Sequence, residues 1–209
     1  MPRRKALSYW RARIRKLADA EHDLHVSDAE VAEGIDEVYG DLYHLVCDGA
    51  DAYFQSTHTI TATGADSYNE PDDHLSTICI EHVDASGIRT PLTKIEAQER
   101  HMYAGMTGDA CAYSLVDDQI YLYPLPSSGT YELLYIPQPP DISEYVDDDL
   151  IDAVNIYGAQ FLVYGVAALV LAKGESDQRG WLARQQRAEP KIVEWAAQRS
   201  FHDSHSQFN

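Results

Sequence analysis

Residues 112–137 read Ala-Tyr-Ser-Leu-Val-Asp-Asp-Gln-Ile-Tyr-Leu-Tyr-Pro-Leu-Pro-Ser-Ser-Gly-Thr-Tyr-Glu-Leu-Leu-Tyr-Ile-Pro. Three short runs of β-branched, aromatic and aliphatic residues are separated by two turn signals, Asp117-Asp118-Gln119 and Pro124 through Gly129. Ile120 and Leu122 alternate with Tyr121 and Tyr123, and Tyr131, Leu133 and Tyr135 alternate with Glu132, Leu134 and Ile136. Successive side chains of a strand point to opposite faces. Period-two patterning bounded by turn residues therefore predicts antiparallel strands with short hairpin connections. Helical patterns flank this block on both sides. The expected fold class is α+β: a helical bundle of N- and C-terminal helices with an inserted antiparallel β domain.

Toward the N-terminus, Phe54 to Thr63 alternates Ser56, His58, Ile60 and Ala62 with four threonines, as an edge strand or an exposed sheet face would. Asn69–Asp73 reads as a loop and Leu75–Val83 as a strand. Asp84 through Gly87 is a turn into Ile88-Arg89-Thr90. Thr93 and Glu96 have capping-box spacing, which predicts a short helix over 94–103. Ser27 and Glu30 have the same spacing. They open a helix whose apolar stripe is Val31, Ile35, Val38, Leu42 and Leu45, with Asp48-Gly49 as its closing turn. Gly34 and Gly40 weaken that helix and are candidate points of close approach. Before it, Leu7, Trp10, Ile14 and Leu17 recur at helical spacing among basic residues, predicting an amphipathic basic helix over 5–20.

Toward the C-terminus, Gln-Pro-Pro-Asp after Pro137 returns the chain from strands to helices. A helix is expected from Asp147 to Leu171, apolar on nearly all sides, with acids at its positive dipole end and Gly174 after it. Residues 153–171 are only marginally long enough to span a bilayer, and a helix buried in protein is the reading adopted. A last helix over 176–199 uses Trp181, Leu182, Ile192, Val193 and Trp195 as apolar contacts, with a kink or break at Pro190. The resulting division is 1–50, a basic helix and a bundle helix; 51–137, the β domain; 138–200, the C-terminal helices; and 201–209, a flexible tail.

The net charge is −18, and it is unevenly spread. Arg3, Arg4, Lys5, Arg11, Arg13, Arg15 and Lys16 lie in the first sixteen positions, which hold no acid. The remainder carries nine basic and 34 acidic residues. A basic arm thus precedes an acidic body that repels itself at low salt. A halophilic source would select such a body, and an acidic protein from an ordinary host gives the same balance. Cys47, Cys79 and Cys111 are odd in number and widely spaced. They read as small buried hydrophobes in a reducing compartment, with no disulfide framework. No apolar run follows the basic N-terminus, so no secretory leader is expected.

No nucleotide-binding loop, HExxH or GxSxG occurs in the sequence. His22/His25 and His202/His205 offer two ligands each, without the third and fourth that a metal site needs. The acid pairs Asp72-Asp73 and Asp117-Asp118 and the triple Asp147-Asp148-Asp149 fall at expected turns or a helix start, where Asp is favoured for local reasons. No catalytic, cofactor-binding or metal residue is assigned, and no enzyme activity is expected. Tyr113, Tyr121, Tyr123, Tyr131 and Tyr135 suit sheet packing or a protein interface; the alternative is a carbohydrate- or cell-surface-binding platform. The basic helix has four readings: contact with a partner, contact with nucleic acid, a membrane surface, or packing with a solvated charged face. Candidate partner-binding residues are Arg3, Arg4, Lys5, Trp10, Arg11, Arg13, Arg15 and Lys16, with Phe201, His202 and Phe208 of the tail.

Several motifs recur in a definite order. They are the Val31/Ile35/Val38/Leu45 helix, the Thr-rich strand, Tyr68-x2-Pro71-Asp72-Asp73, Gly87-x3-Pro91-Leu92, Ala112-Tyr113-Ser114-Leu115, Ile120 through Pro126, Gly129-x-Tyr131 and Leu134-Tyr135. This order resembles the head-to-tail adaptor (connector) proteins of tailed viruses, of the β-domain-inserted type similar to tail tubular proteins. The resemblance implies a virion structural protein at the head–tail neck, assembled in the host cytoplasm. It implies a homo-oligomeric ring, a dodecamer, under the portal protein and above the next tail or adaptor component. DNA would pass through its channel without specific binding, and no cofactor or membrane would be involved.

Overall fold

The computed structural model describes residues 4–18, 26–50, 53–173 and 177–206, with side chains up to residue 199. The chain forms two compact units: 1–53 with 139–209, and 54–138.

The helical unit begins with a strand, β1 (Arg4–Ala6), followed by α1 (Leu7–Leu17). Residues 5 and 6 are therefore extended, where helix was expected. Their partner is β10 (Leu150–Asp152), paired antiparallel with Arg4 opposite Asp152. α2 (Asp28–Gly49) starts as expected. Ser27 Oγ accepts from the Glu30 amide at 3.2 Å, and the Glu30 carboxylate accepts from the Ser27 amide at 2.7 Å. Its buried stripe is Val31, Ile35, Val38, Leu42 and Val46, so Val46 takes the place expected of Leu45. Gly49 is the last residue of the helix and not a turn. A Cβ there would lie 2.7 Å from the Ala196 side chain, so this glycine lets the C-terminal helix approach. Gly34 faces Val166 in the same way, whereas Gly40 faces open space.

The expected helix start at Asp147 is not seen. A 3₁₀ turn (Ile142–Glu144) and β10 come first, and α3 spans Ile156–Lys173. Asn155 caps it, its Oδ1 accepting from the amides of Tyr157 and Gly158 at 2.8 Å each. α3 is long and apolar enough to cross a membrane, yet most of it is buried here. Phe161, Leu162, Val163, Val166 and Val170 pack among α1, α2 and α4 (Arg179–Ser206). α4 runs through Pro190 without a break. Proline removes one amide and opposes one carbonyl of the preceding turn. Ala188, Ile192 and Ala196 stay buried on either side of it. The backbone of 201–206, expected to be tail, continues this helix.

In the β unit the three runs become β7 (Ala112–Val116), β8 (Gln119–Tyr123) and β9 (Thr130–Pro137). Asp117 and Asp118 have φ of 49° and 59°, the two-residue hairpin turn whose twist matches its strands. The second connection is not a hairpin. Pro124 and Pro126 cannot donate to a ladder, and β9 crosses to another sheet. There it lies between β2 (Ser56–Thr61) and β4 (His74–Val83), with β5 (Arg89–Pro91) at the far edge. The other sheet has the order β3 (Tyr68–Asn69), β8, β7 and β6 (Thr93–Lys94), with β6 parallel to β7. The Thr-rich β2 is an edge strand, as its alternation implied. The helix expected over 94–103 is a 3₁₀ helix (Ala97–Tyr103) with Glu96 and Glu99 as its capping box, because Thr93 is taken up in β6. Ile60, Ile80, Leu133, Ile120, Leu122 and Tyr131 form the core between the sheets.

Two outcomes test this packing by chemical denaturation followed at 222 nm. A Cβ on Gly158 would lie 2.3 Å from the Ala153 carbonyl oxygen, so Gly158→Ala lowers stability by about 1–3 kcal/mol. Gly40→Ala meets nothing within 4 Å and raises it by about 0.5–1 kcal/mol. Burial, and then the Asp152 carboxylate, hold the Tyr39 phenol far above its ordinary range. A folded-state pKa raised above the unfolded value gives stability that is complete below the unfolded pKa and is lost as pH rises beyond it. Unfolding free energy therefore falls above pH about 10, and Tyr39→Phe makes that fall shallower.

Candidate functional site

The basic segment is built into the helical unit. Leu7, Trp10 and Ile14 are its inward face; Trp10 is 1% exposed and serves as core. The first amides of α1 have no side-chain cap. Instead the amides of Leu7 and Ser8 donate to the carbonyls of Asp149 and Asp147 at 2.9 and 3.1 Å. The acids expected at a helix start thus lie against the basic segment. Arg11 pairs with Asp147, and Arg4 with Asp152 at 3.2 Å. Arg15 pairs with Asp28 at 2.7 Å and donates to the Val26 carbonyl at 2.7 Å. Arg13 donates to the Tyr9 hydroxyl at 3.1 Å, and the Lys5 ammonium lies 5.3 Å from the Tyr9 ring centre. Lys16 and most of Arg4 remain exposed. Arg3 and Phe208 lie outside the described residues, as do the side chains of Phe201 and His202.

The five tyrosines do not share an exposed face. Tyr113, Tyr131 and Tyr135 are core. The Tyr131 hydroxyl accepts from the buried Ala110 amide at 2.8 Å, and Tyr135 donates to Asp73 at 2.9 Å. Tyr123 stacks on Tyr103 with ring centres 5.9 Å apart, and Tyr121 is half-buried. A carbohydrate platform made of all five is therefore not formed.

The groups whose acidity shifts clearly include phenols and one thiol. Burial pushes Tyr113, Tyr131, Tyr135, Tyr145 and Cys79 upward, which keeps them neutral and makes Cys79 a poorer nucleophile. Among the described residues no group of three or more His, Cys, Asp or Glu is arranged to hold a metal ion. His22 and His25 lie outside those residues, as do the side chains of His202 and His205. The cysteines are free, but none is fully buried, and Cys111 is exposed. One groove of about 280 Å³ in the β unit is lined by Glu70, Asp72, His74 and Asp118. In it His74 is held by Glu70 at 2.7 Å and Thr77 at 2.9 Å.

Two charged stripes were not singled out in the sequence. Glu33, Glu37, Asp41 and Asp48 are exposed on one face of α2, beside His44. Arg184, Arg187 and Lys191 are exposed on one face of α4. The signal was present as four-residue and three-plus-four spacing, which puts side chains on one helix face. The overall acidity obscured it.

A family model described as SU10 adaptor protein matches residues 10–203, which run through both compact units. No curated protein matches the sequence. The family match agrees with the resemblance to phage head–tail adaptors carried by the order of motifs. With nearly its whole length matched, the chain belongs to the SU10 adaptor protein family.

Proposed function

We propose that the protein is a head–tail adaptor of the virion. It assembles as a homo-oligomeric ring of twelve copies between the portal and the next tail component and extends the DNA channel. The observation that carries this reading is the family match over residues 10–203, through helical and β units alike. The charge supports it. With a net charge of −18 the chain repels phosphate, so a packaged genome slides past it without sticking. Catalysis has no part in the role, which is to join protein to protein around a passage for DNA.

The placement of the basic segment narrows the docking region. Trp10 is core, and Arg4, Arg11 and Arg15 are engaged with carboxylates of the same unit. Lys16, the open side of Arg4 and the C-terminal stretch with Phe201, His202 and Phe208 are the portal-facing parts in this proposal. Contacts linked around a ring reinforce one another, so a weak contact at each terminus suffices.

Purified chain mixed with purified portal protein should add a ring-shaped layer in negative-stain micrographs. Deleting residues 200–209 should weaken that association by roughly tenfold or more, a scale set by avidity. Binding to duplex DNA should be negligible at physiological salt. A chain that stays monomeric with portal at every concentration overturns the ring. Tight, salt-dependent DNA binding overturns the passive channel.

A further inference from the structure

The two stripes of the helical unit carry opposite charge. On α2, Glu33, Glu37, Asp41 and Asp48 are exposed, and no cation pairs with them among the described residues. Within the same helix Glu30 does have a partner, Lys173. On α4, Arg184, Arg187 and Lys191 are exposed and have no carboxylate partner among the described residues. Two of them lie on rings instead: Arg184 is 4.9 Å from the Trp181 ring centre and Lys191 is 5.1 Å from that of Tyr157. A cation on a ring face is ordered but keeps its charge for an anion. Of the nine basic residues beyond position 16, five lie on α4: Arg179, Arg184, Arg187, Lys191 and Arg199. In so acidic a chain this concentration of cations on one helix calls for a reason.

At about 1.5 Å per residue, Glu33 to Asp48 spans about 22.5 Å and Arg184 to Lys191 about 10.5 Å, so the α4 cations match the Glu33–Asp41 part of the acidic stripe, which is about 12 Å long. The α2 stripe also borders a groove of about 320 Å³ lined by Asp41, His44, Leu45, Asp48, Phe161 and Glu189. Leu45 and Phe161 give it an apolar part, and Asp41, Asp48 and Glu189 an acidic one. A long basic side chain fits such a groove, with its stem on Leu45 and Phe161 and its head among the carboxylates.

We propose that the α2 stripe of one copy docks on the α4 stripe of the next copy of this chain. Acid facing acid or base facing base is repulsive, so neither stripe pairs with itself. When the α2 stripe of each copy meets the α4 stripe of the next, without the reverse contact between the same two copies, the contact is head-to-tail, the type that generates rings when the rotation closes. The proposal rests on the ring reading and names the surface that forms each junction.

Two triple variants test it: Glu33→Lys/Glu37→Lys/Asp41→Lys, and Arg184→Glu/Arg187→Glu/Lys191→Glu. All six positions are exposed, and circular dichroism checks that each variant folds. Association is measured by analytical ultracentrifugation and micrographs, alone and with purified portal. Either triple should weaken self-association by roughly a hundredfold. All six changes in one chain should restore it, as should an equimolar mixture of the two triples, because every junction again joins opposite charges. Rings that persist in either triple overturn the docking surface and leave the ring reading standing. Loss in both triples without rescue overturns it, since the stripes then serve different partners, portal or DNA among them. Assembly that stops at a two-fold dimer overturns the head-to-tail contact. A wild-type chain that forms no oligomer, alone or with portal, removes the ring reading and this proposal together.

Discussion

Arg4–Ala6 pairs with Leu150–Asp152, with Arg4 and Asp152 148 positions apart, and the helical unit depends on that contact. The unit is discontinuous in sequence, because residues 54–138 form a unit of their own between its two parts. Something must bring residues 4–17 back to the segment before α3. The strand pair sets the register, and the carbonyls of Asp147 and Asp149 then receive the free amides at the start of α1. Magnitudes show which term dominates. Arg4–Asp152 and Arg11–Asp147 each join one exposed and one mostly buried side chain, and pairs that water reaches from one side contribute about 1 kcal/mol each. Burying Leu7, Trp10 and Ile14 contributes about 1.5–3 kcal/mol per side chain. Burial holds α1 in place, and the ion pairs decide which acids face it.

The same geometry explains where several of the ionisable groups are engaged. Asp117-Asp118 make a tight turn whose positive φ values suit short polar side chains. Asp147 and Asp152 answer arginines. The phenols that shift clearly are kept neutral by burial. Among the described residues, the charges of α2 and α4 are laid out along helix faces. Family membership and surface layout agree on a structural part.

Some of this was legible in residues 112–137 and some was not. Alternation named the buried set in β8 and β9, because period two is a property of any strand that has one dry face. It did not name the partners. β8 to β9 looks like a hairpin, yet two prolines break the ladder and β9 pairs with β2 and β4. The Ser27–Glu30 capping box was fully readable, since it lies within four residues. The start of α3 was misplaced by about nine residues because acids suit a helix start in general, and the arginines that claim them are over 130 positions away. Pro190 suggests a kink or a break, and of the two the break is absent: the buried residues on both sides of it keep α4 continuous.

By itself the sequence settled what depends on near neighbours: strand alternation, the helix cap, the Asp-Asp turn, and the order of segments that marks the family. Only the tertiary structure decided that the basic segment is core and not a free arm, that three of the five tyrosines are inside, and that opposite charges occupy separate helix faces. Local preferences act over a turn or a strand pair. The fate of a charge or an aromatic ring depends on what a distant part of the chain brings against it.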